Sequence, residues 1–193
     1  MLRQLKIQHQ TITTNPMKHI KSLRSKLAAF TLIELLVVIS IIAVLAALAL
    51  PAITGALTKG QITQTTSNYR QLYILTQTAS LDNQQAGTTN GGFPGDIGGV
   101  AAWSNGLLSY ISNNALSNLL SVKGTTANTA VFNVGSSGNS LNVFIATANV
   151  SNGTVQNVAP YNLKGAALVT VGGSAISIVG TNVNTNNYVF GTN

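Results

Sequence analysis

Cysteine is absent from this 193-residue chain, and both histidines, His9 and His19, lie among its first 29 residues. The chain beyond residue 29 therefore lacks the commonest acid–base residue of enzymes, the commonest metal ligand and the thiol nucleophile. Carboxylates are nearly absent as well, since Glu34, Asp82 and Asp96 are the only three. A chain without these groups is predicted not to be an enzyme.

Negative charge is scarce, yet the net charge of +7 does not indicate a nucleic-acid partner. Six of the ten basic residues precede residue 30, and the other four are nearly balanced by the three carboxylates. Basic residues that flank an apolar segment stay on the cytoplasmic side of a membrane. The charge distribution therefore predicts a basic leader over residues 1–29 that orients a membrane-inserted chain, whether translation starts at Met1 or at Met17.

An apolar run occupies residues 30–50 and contains one charged residue, Glu34. About 21 residues of helix are enough to cross a hydrocarbon core of about 30 Å. A carboxylate inside such a segment costs about 2.5–3.5 kcal/mol on insertion scales, so it needs a partner. A cut between Ala29 and Phe30 would create one, because it leaves a cationic amine beside the apolar run.

This region resembles the prepilin signal of type IV pilins and type II secretion pseudopilins. The matching positions are the basic stretch from Lys18 to Lys26, Phe30 as first mature residue, Thr31 as second, Glu34 as fifth and Pro51 as twenty-second. The family usually has Gly before the cut, where this chain has Ala29. The resemblance extends over residues 18–80 and is most specific over residues 29–51.

The resemblance implies a processing and assembly pathway. A prepilin peptidase would cut after Ala29 and also N-methylate Phe30. Glu34, with Thr31 beside it, would set the register of assembly by attracting the amine of Phe30 in a neighbouring subunit. The precursor would be a single-pass inner-membrane protein with a cytoplasmic leader and a periplasmic head. Its partners would be identical and related pilin subunits and an assembly platform with its ATPase, which would build an extracellular pilus.

Three alternatives to a pilus subunit remain. A type II secretion pseudopilin, acting in a periplasmic piston, would carry the same signal. A membrane-anchored or secreted adhesin that never polymerises would display the same Asn- and Thr-rich distal part. An ordinary secretory signal with a cleavage site at Ala47-Leu48-Ala49 would explain the apolar run, but it leaves Glu34 unexplained.

The predicted fold is α+β, with a long kinked helix and a small antiparallel sheet packed on the helix's C-terminal half. Residues 30–51 form the membrane or filament-core helix, and residues 52–87 continue it as an amphipathic helix. Pro51 is expected to kink this helix, and Gly87 to end it. A stripe of helical spacing marks the buried face of the second half: Ile62, Tyr69, Leu72, Tyr73 and Ala79.

Residues 88–193 are predicted to form a β-rich head. Turn-forming residues indicate a loop over residues 88–99, and one or two helical turns are expected between Leu107 and Leu120. Short β-favouring runs follow: Ala130–Val134, Leu141–Val150, Ala166–Val171, Ala175–Val179 and Tyr188–Phe190. The clearest hairpin has a Gly172-Gly173 turn between Val169–Val171 and Ile176–Ile178.

Two further groups of residues invite a functional interpretation. Pro51, with Gly55 and Gly60, is interpreted as a flexible segment that lets the helix bend or unwind as subunits pack. Asp82 and Asp96 could hold a calcium ion, as a loop does in major pseudopilins. Calcium prefers six to eight oxygens with several carboxylates, so two solvated loop carboxylates and no cofactor are the favoured interpretation.

Overall fold

A computed structural model describes residues 30–87, 91–124, 129–151, 153–180 and 188–191. The predicted leader, with Ala29 at the cleavage position and both candidate start residues, lies outside the described residues.

One helix, α1 (Leu32–Gln85), includes the apolar run from Leu32 onward and the amphipathic segment after it. The helix does not end at Pro51, which lies inside it. It ends where the sequence predicted, because Gly87 has a φ of 77° and its N–H bonds to the carbonyl of Gln84. A glycine in this left-handed conformation is a common helix terminator. The kink at Pro51 stays a prediction.

The chain divides into two compact units, of which the first ends at Val44 and the second begins at Leu45. In the first unit, every described residue is exposed, although most of them are Leu, Ile, Val or Ala. The second unit contains the rest of α1 together with the distal helices and strands. The second unit has a hydrophobic core, whereas no described residue of the first unit is buried.

The second half of α1 packs its predicted stripe into this core. Ile62, Tyr69, Leu72 and Ala79 are buried, and Tyr73 packs against the core while half-buried. The same face also buries polar side chains that hydrophobic spacing did not predict: Thr65, Thr66, Asn68, Thr76 and Ser80. Hydroxyl groups tolerate this burial because the helix supplies acceptors; those of Thr66 and Thr76 donate to the carbonyls four residues earlier.

Two short α-helices follow α1 among the described residues, besides one 3-10 turn at Asn162–Lys164. The predicted loop is confirmed over residues 91–99, which contain neither helix nor strand. Helix α2 (Val100–Leu107) begins earlier than the predicted helical turns, and α3 (Asn113–Leu120) lies within them. The N-terminus of α3 is capped by Ser112, whose hydroxyl accepts from the N–H of Ala115.

In the part of the chain that the structure describes, the main sheet has five strands. They are β1 (Thr129–Val131), β2 (Asn142–Thr147), β5 (Gly165–Thr170), β6 (Ala175–Val179) and β7 (Val189–Phe190). The order β1-β2-β5-β6 is antiparallel throughout, as predicted, whereas β7 pairs parallel with the start of β2. Strands β3 (Val150–Ser151) and β4 (Thr154–Val155) form a separate two-stranded sheet.

The hairpin of β5 and β6 forms as predicted, but its turn is longer. Val169 pairs with Ala175, and the N–H of Thr170 bonds to the carbonyl of Ser174. Three residues therefore lie in the turn, with Gly173 at a φ of 83°. Three-residue turns with a left-handed last residue are a common hairpin class. All six residues of β5 are buried, so this strand is covered on both faces.

Aromatic rings connect the loop, α2 and the sheet. The ring of Phe144 in β2 meets Phe93 at 5.0 Å and Trp103 at 5.4 Å, both edge to face. The indole N–H of Trp103 donates to the hydroxyl of Thr76 on α1 at 2.9 Å. Because a buried indole needs an acceptor, this bond fixes α2 against the second half of α1.

Candidate functional site

The N-terminus of α1 is closed by Thr31 and Glu34. The N–H and the hydroxyl of Thr31 both donate to Oε2 of Glu34, at 2.8 and 2.7 Å. In return, the N–H of Glu34 donates to the hydroxyl oxygen of Thr31 at 3.2 Å. Thr31 precedes the first helical residue and Glu34 is the third, so the pair forms a capping box.

The capping box provides hydrogen-bond acceptors for N–H groups at the start of α1. Within lipid, such groups would have no water to bond to. The capping box also places the Glu34 carboxylate at the positive end of the helix dipole, which favours a negative charge in the first turn. The apolar run thereby tolerates its acidic residue within a single chain. Glu34 nevertheless keeps one oxygen available, because Oε1 has no hydrogen-bond partner among the residues that the structure describes.

The surface beyond this cap is apolar and uncovered. Phe30 is 75 % exposed and Leu32 is 81 % exposed. The polar Ser40 is satisfied internally, since its hydroxyl donates to the carbonyl of Leu36 at 2.8 Å. Within the described residues, α1 is the one helix that is long and apolar enough to cross a membrane.

Pro51 and Gly60 are exposed on α1 within the second unit, and Gly55 is half-buried. Pro51 has no N–H to donate to the carbonyl four residues earlier. The hydroxyl of Thr54 donates to the carbonyl of Pro51 at 3.0 Å. A methyl group added at Gly55 or Gly60 would meet no atom within 4 Å, so close packing inside the subunit does not require glycine at either position.

The two candidate calcium ligands have separate partners. Asp82 accepts a hydrogen bond from the hydroxyl of Tyr110 at 2.8 Å, and this bond raises the pKa of Tyr110 above its usual value. Asp96 accepts from the N–H groups of Ser136 and Phe93, at 2.9 and 3.3 Å to Oδ2. Asp96 therefore joins two loops of the head. A calcium role for either carboxylate stays a prediction.

Two features of the site escaped the sequence reasoning. The capping box was readable from Thr31-Leu32-Ile33-Glu34, because Ser or Thr followed three residues later by Glu before an apolar run is its usual signature. The bonds of Asp96 to Ser136 had no such signal, since the two residues lie 40 positions apart.

A family model described as "Prokaryotic N-terminal methylation motif" matches residues 24–50. The chain carries the prokaryotic N-terminal methylation motif. The motif is the signal of type IV pilins and pseudopilins, which confirms the resemblance, and it is typical of structural subunits rather than enzymes. It covers the predicted cleavage position, the capping box and the apolar run. No curated protein and no solved structure matches the chain.

The methylation motif and the apolar helix together fit a membrane-anchored precursor. The motif also implies processing by a prepilin peptidase and assembly with other pilin-type subunits. Because it matches only residues 24–50, it describes the N-terminal signal and leaves the head unclassified.

Proposed function

We propose that this chain is the structural subunit of a type IV pilus-like filament, cut after Ala29, N-methylated at Phe30 and polymerised through residues 30–51. The observation that carries the proposal is the methylation motif on a helix whose N-terminal apolar run, up to Leu50, is wholly exposed. Such a surface needs lipid before assembly and helices of other subunits afterwards. Small residues such as Ala43, Ala46 and Ala47 allow close approach of neighbouring helices.

The capping box supports a particular role for Glu34. Its Oε2 is held by Thr31 of the same chain, while Oε1 is left to accept the amine of Phe30 in a neighbouring subunit. Two opposite charges in a low dielectric attract strongly but also lose hydration, so the pair specifies alignment more than it adds stability. Assembly through an outside ATPase on an inner-membrane platform belongs to the same proposal.

The first test is the intact mass and N-terminal sequence of the chain isolated from cells that contain a prepilin peptidase. We expect a chain that begins with N-methylated Phe30. The variant Ala29→Gly should be cut at least as completely, and Ala29→Leu should stay uncut because its side chain is larger. A chain that begins near Leu50 would instead show an ordinary secretory signal, and an uncut wild-type chain would indicate a plain membrane anchor.

The second test concerns assembly. Glu34→Gln should be processed but should reduce sheared filaments by about a hundredfold or more, because it leaves the neighbour's amine without its charged partner. Asp82→Asn, an exposed carboxylate on the same helix, is the matched control and should assemble normally. Normal filament yield from Glu34→Gln would contradict the proposed role. Processed wild-type chains found in short periplasmic fibres would favour the pseudopilin interpretation. Processed chains that form no filaments would favour the interpretation as a non-polymerising adhesin.

A further inference from the structure

A cleft of about 300 Å³ lies between α1 and the open end of the β5–β6 hairpin, entirely within the second unit. Lys59 of α1 and Lys164, just before β5, both line it, together with Pro51 and Val179. None of the described residues that line the cleft is acidic. The hairpin forms the wall of the cleft opposite α1. Its two strands are held together there, because the N–H of Gly180 bonds to the carbonyl of Lys164 at 3.0 Å.

Both lysines of the cleft are electrostatically uncompensated. Neither ammonium group has a hydrogen bond or an ion pair with any residue that the structure describes. By contrast, the ammonium of Lys123 donates to the hydroxyl of Ser121. Residues 30–193 contain four basic side chains, and two of them, Lys59 and Lys164, line the cleft. Two unpaired cations that line one cleft favour an anionic ligand.

The position of Lys59 along α1 indicates which class of anion would bind. The apolar run ends at Leu50, and Lys59 lies nine residues further, or about 13 Å along the helix axis. The polar zone of a bilayer adds about 5–8 Å on each side of its hydrocarbon core. A lysine side chain can extend back toward that zone while its methylenes contact apolar groups. With residues 30–50 in the hydrocarbon core, the α1 side of the cleft, from Pro51 to Lys59, would include the depth of lipid phosphates.

The surroundings of the cleft resemble a membrane-interface surface. Val179 and Pro51, the apolar side chains that line the cleft, are both exposed, Val179 by 59 %. Exposed aliphatic side chains beside unpaired lysines are typical of surfaces that bind anionic lipids. Soluble anions would make no use of the aliphatic rim.

We propose that this cleft binds the phosphate headgroup of an anionic phospholipid, with Lys59 and Lys164 as the two cationic contacts. The inference depends on the proposed function only in placing residues 30–50 in the membrane. Binding here would hold the base of the head against the lipid surface before assembly. Release of the lipid would then accompany extraction of the subunit.

The test uses the full chain in non-ionic detergent, with phosphatidylglycerol or phosphatidylcholine added to the micelles. Trp103, the one tryptophan of the chain, reports thermal unfolding of the head by fluorescence. A ligand that binds only the folded state raises Tm, so phosphatidylglycerol should raise it and phosphatidylcholine should not. Native mass spectrometry of the same samples counts the lipids retained per chain.

The double variant Lys59→Gln, Lys164→Gln should lose most of this effect, with roughly a five-fold weaker affinity for each lysine removed. Both side chains are exposed, so an unchanged Tm in phosphatidylcholine verifies the fold of the variant. Arg70→Gln is the matched control, because Arg70 lies about 30 Å beyond Leu50 along the helix and should keep the effect.

Three results would overturn the proposal. The double variant could respond to phosphatidylglycerol like wild type, Arg70→Gln could lose as much affinity, or inorganic phosphate alone could raise Tm equally. Peptidase processing and filament yield of the same double variant are measured separately. Normal processing with a lost lipid response would therefore support the inference, whereas failed processing of the wild-type chain would affect only the proposed function.

Discussion

At the residue scale, Gly92 shows how closely the head loop approaches α1. A Cβ at this position would overlap the carbonyl oxygen of Thr76 and lie 2.7 Å from the nitrogen of Ser80. Both obstacles are backbone atoms of the helix, which cannot rotate away as a side chain can. The next residue, Phe93, is 1 % exposed and packs on Phe144, so the glycine lets the loop place this ring in the core.

Replacement of Gly92 by Ala is therefore expected to lower the free energy of unfolding by about 1–3 kcal/mol, since the loop must move off the helix. The measurement is urea unfolding of the full chain in detergent, followed by Trp103 fluorescence. Gly106→Ala is the matched control. A Cβ there meets no atom within 4 Å, and alanine suits helix α2, so this variant should be neutral or more stable by up to about 1 kcal/mol. Equal destabilisation of both variants would contradict the argument.

At the scale of elements, α1 changes its environment along its length. Every residue from Phe30 to Thr54 is exposed, whereas the helix from Ile62 onward buries one face against the head. Gly55 and Gly60 lie between these parts, and Pro51 lies near the end of the exposed part. Glycine lowers helix stability by about 1 kcal/mol relative to alanine, and neither glycine is needed for space. The two glycines therefore lower the stability of the helix without a packing requirement that would explain them. This supports a role for the segment in bending or unwinding.

The double variant Gly55→Ala, Gly60→Ala should stabilise the local helix by about 1–2 kcal/mol in total, seen as slower amide hydrogen exchange over residues 51–60. If assembly requires this segment to unwind, the same variant should yield fewer filaments. Ala56→Gly, which loosens the same turn, should exchange faster without losing filaments. Slower exchange with an unchanged filament yield would show instead that α1 simply leaves the membrane at Pro51.

At the scale of the whole molecule, few groups titrate near neutral pH. Residues 30–193 contain no histidine and only three carboxylates. The groups with the clearest shifts are tyrosines. Burial raises the pKa of Tyr69, whose hydroxyl bonds to that of Thr129, and burial also raises the pKa of Tyr161. A raised tyrosine pKa means that the folded state favours the neutral phenol.

Stability should accordingly stay nearly constant from about pH 6 to 9 and fall in alkali. The contribution of Tyr69 is fully present below its unfolded pKa of about 10 and declines by about 1.4 kcal/mol per pH unit above it, until the raised folded pKa is reached. Urea unfolding between pH 7 and 11.5 measures this slope. Tyr69→Phe should reduce the slope, with Tyr188→Phe as the control. A steep loss between pH 6 and 9 would contradict the prediction.

Local patterns in the sequence were sufficient for the N-terminal signal and for the single elements. Residues 24–50 matched the methylation motif, and α1 ended at the predicted glycine. The short strands also formed close to the predicted runs. Such features depend on residues that are near one another in the chain: apolar length, helical spacing, glycine at turns. The predicted domain boundaries and the kink at Pro51 stay predictions.

Tertiary packing decided what lies far apart in sequence. It paired β7 parallel with β2, lengthened the β5–β6 turn by one residue and buried Thr65, Thr76 and other polar residues on α1. It also joined Asp96 to Ser136 and brought Lys164 to the cleft beside Lys59. Periodicity cannot reveal these pairings, because they depend on which surfaces exclude water together and which distant donors and acceptors then meet.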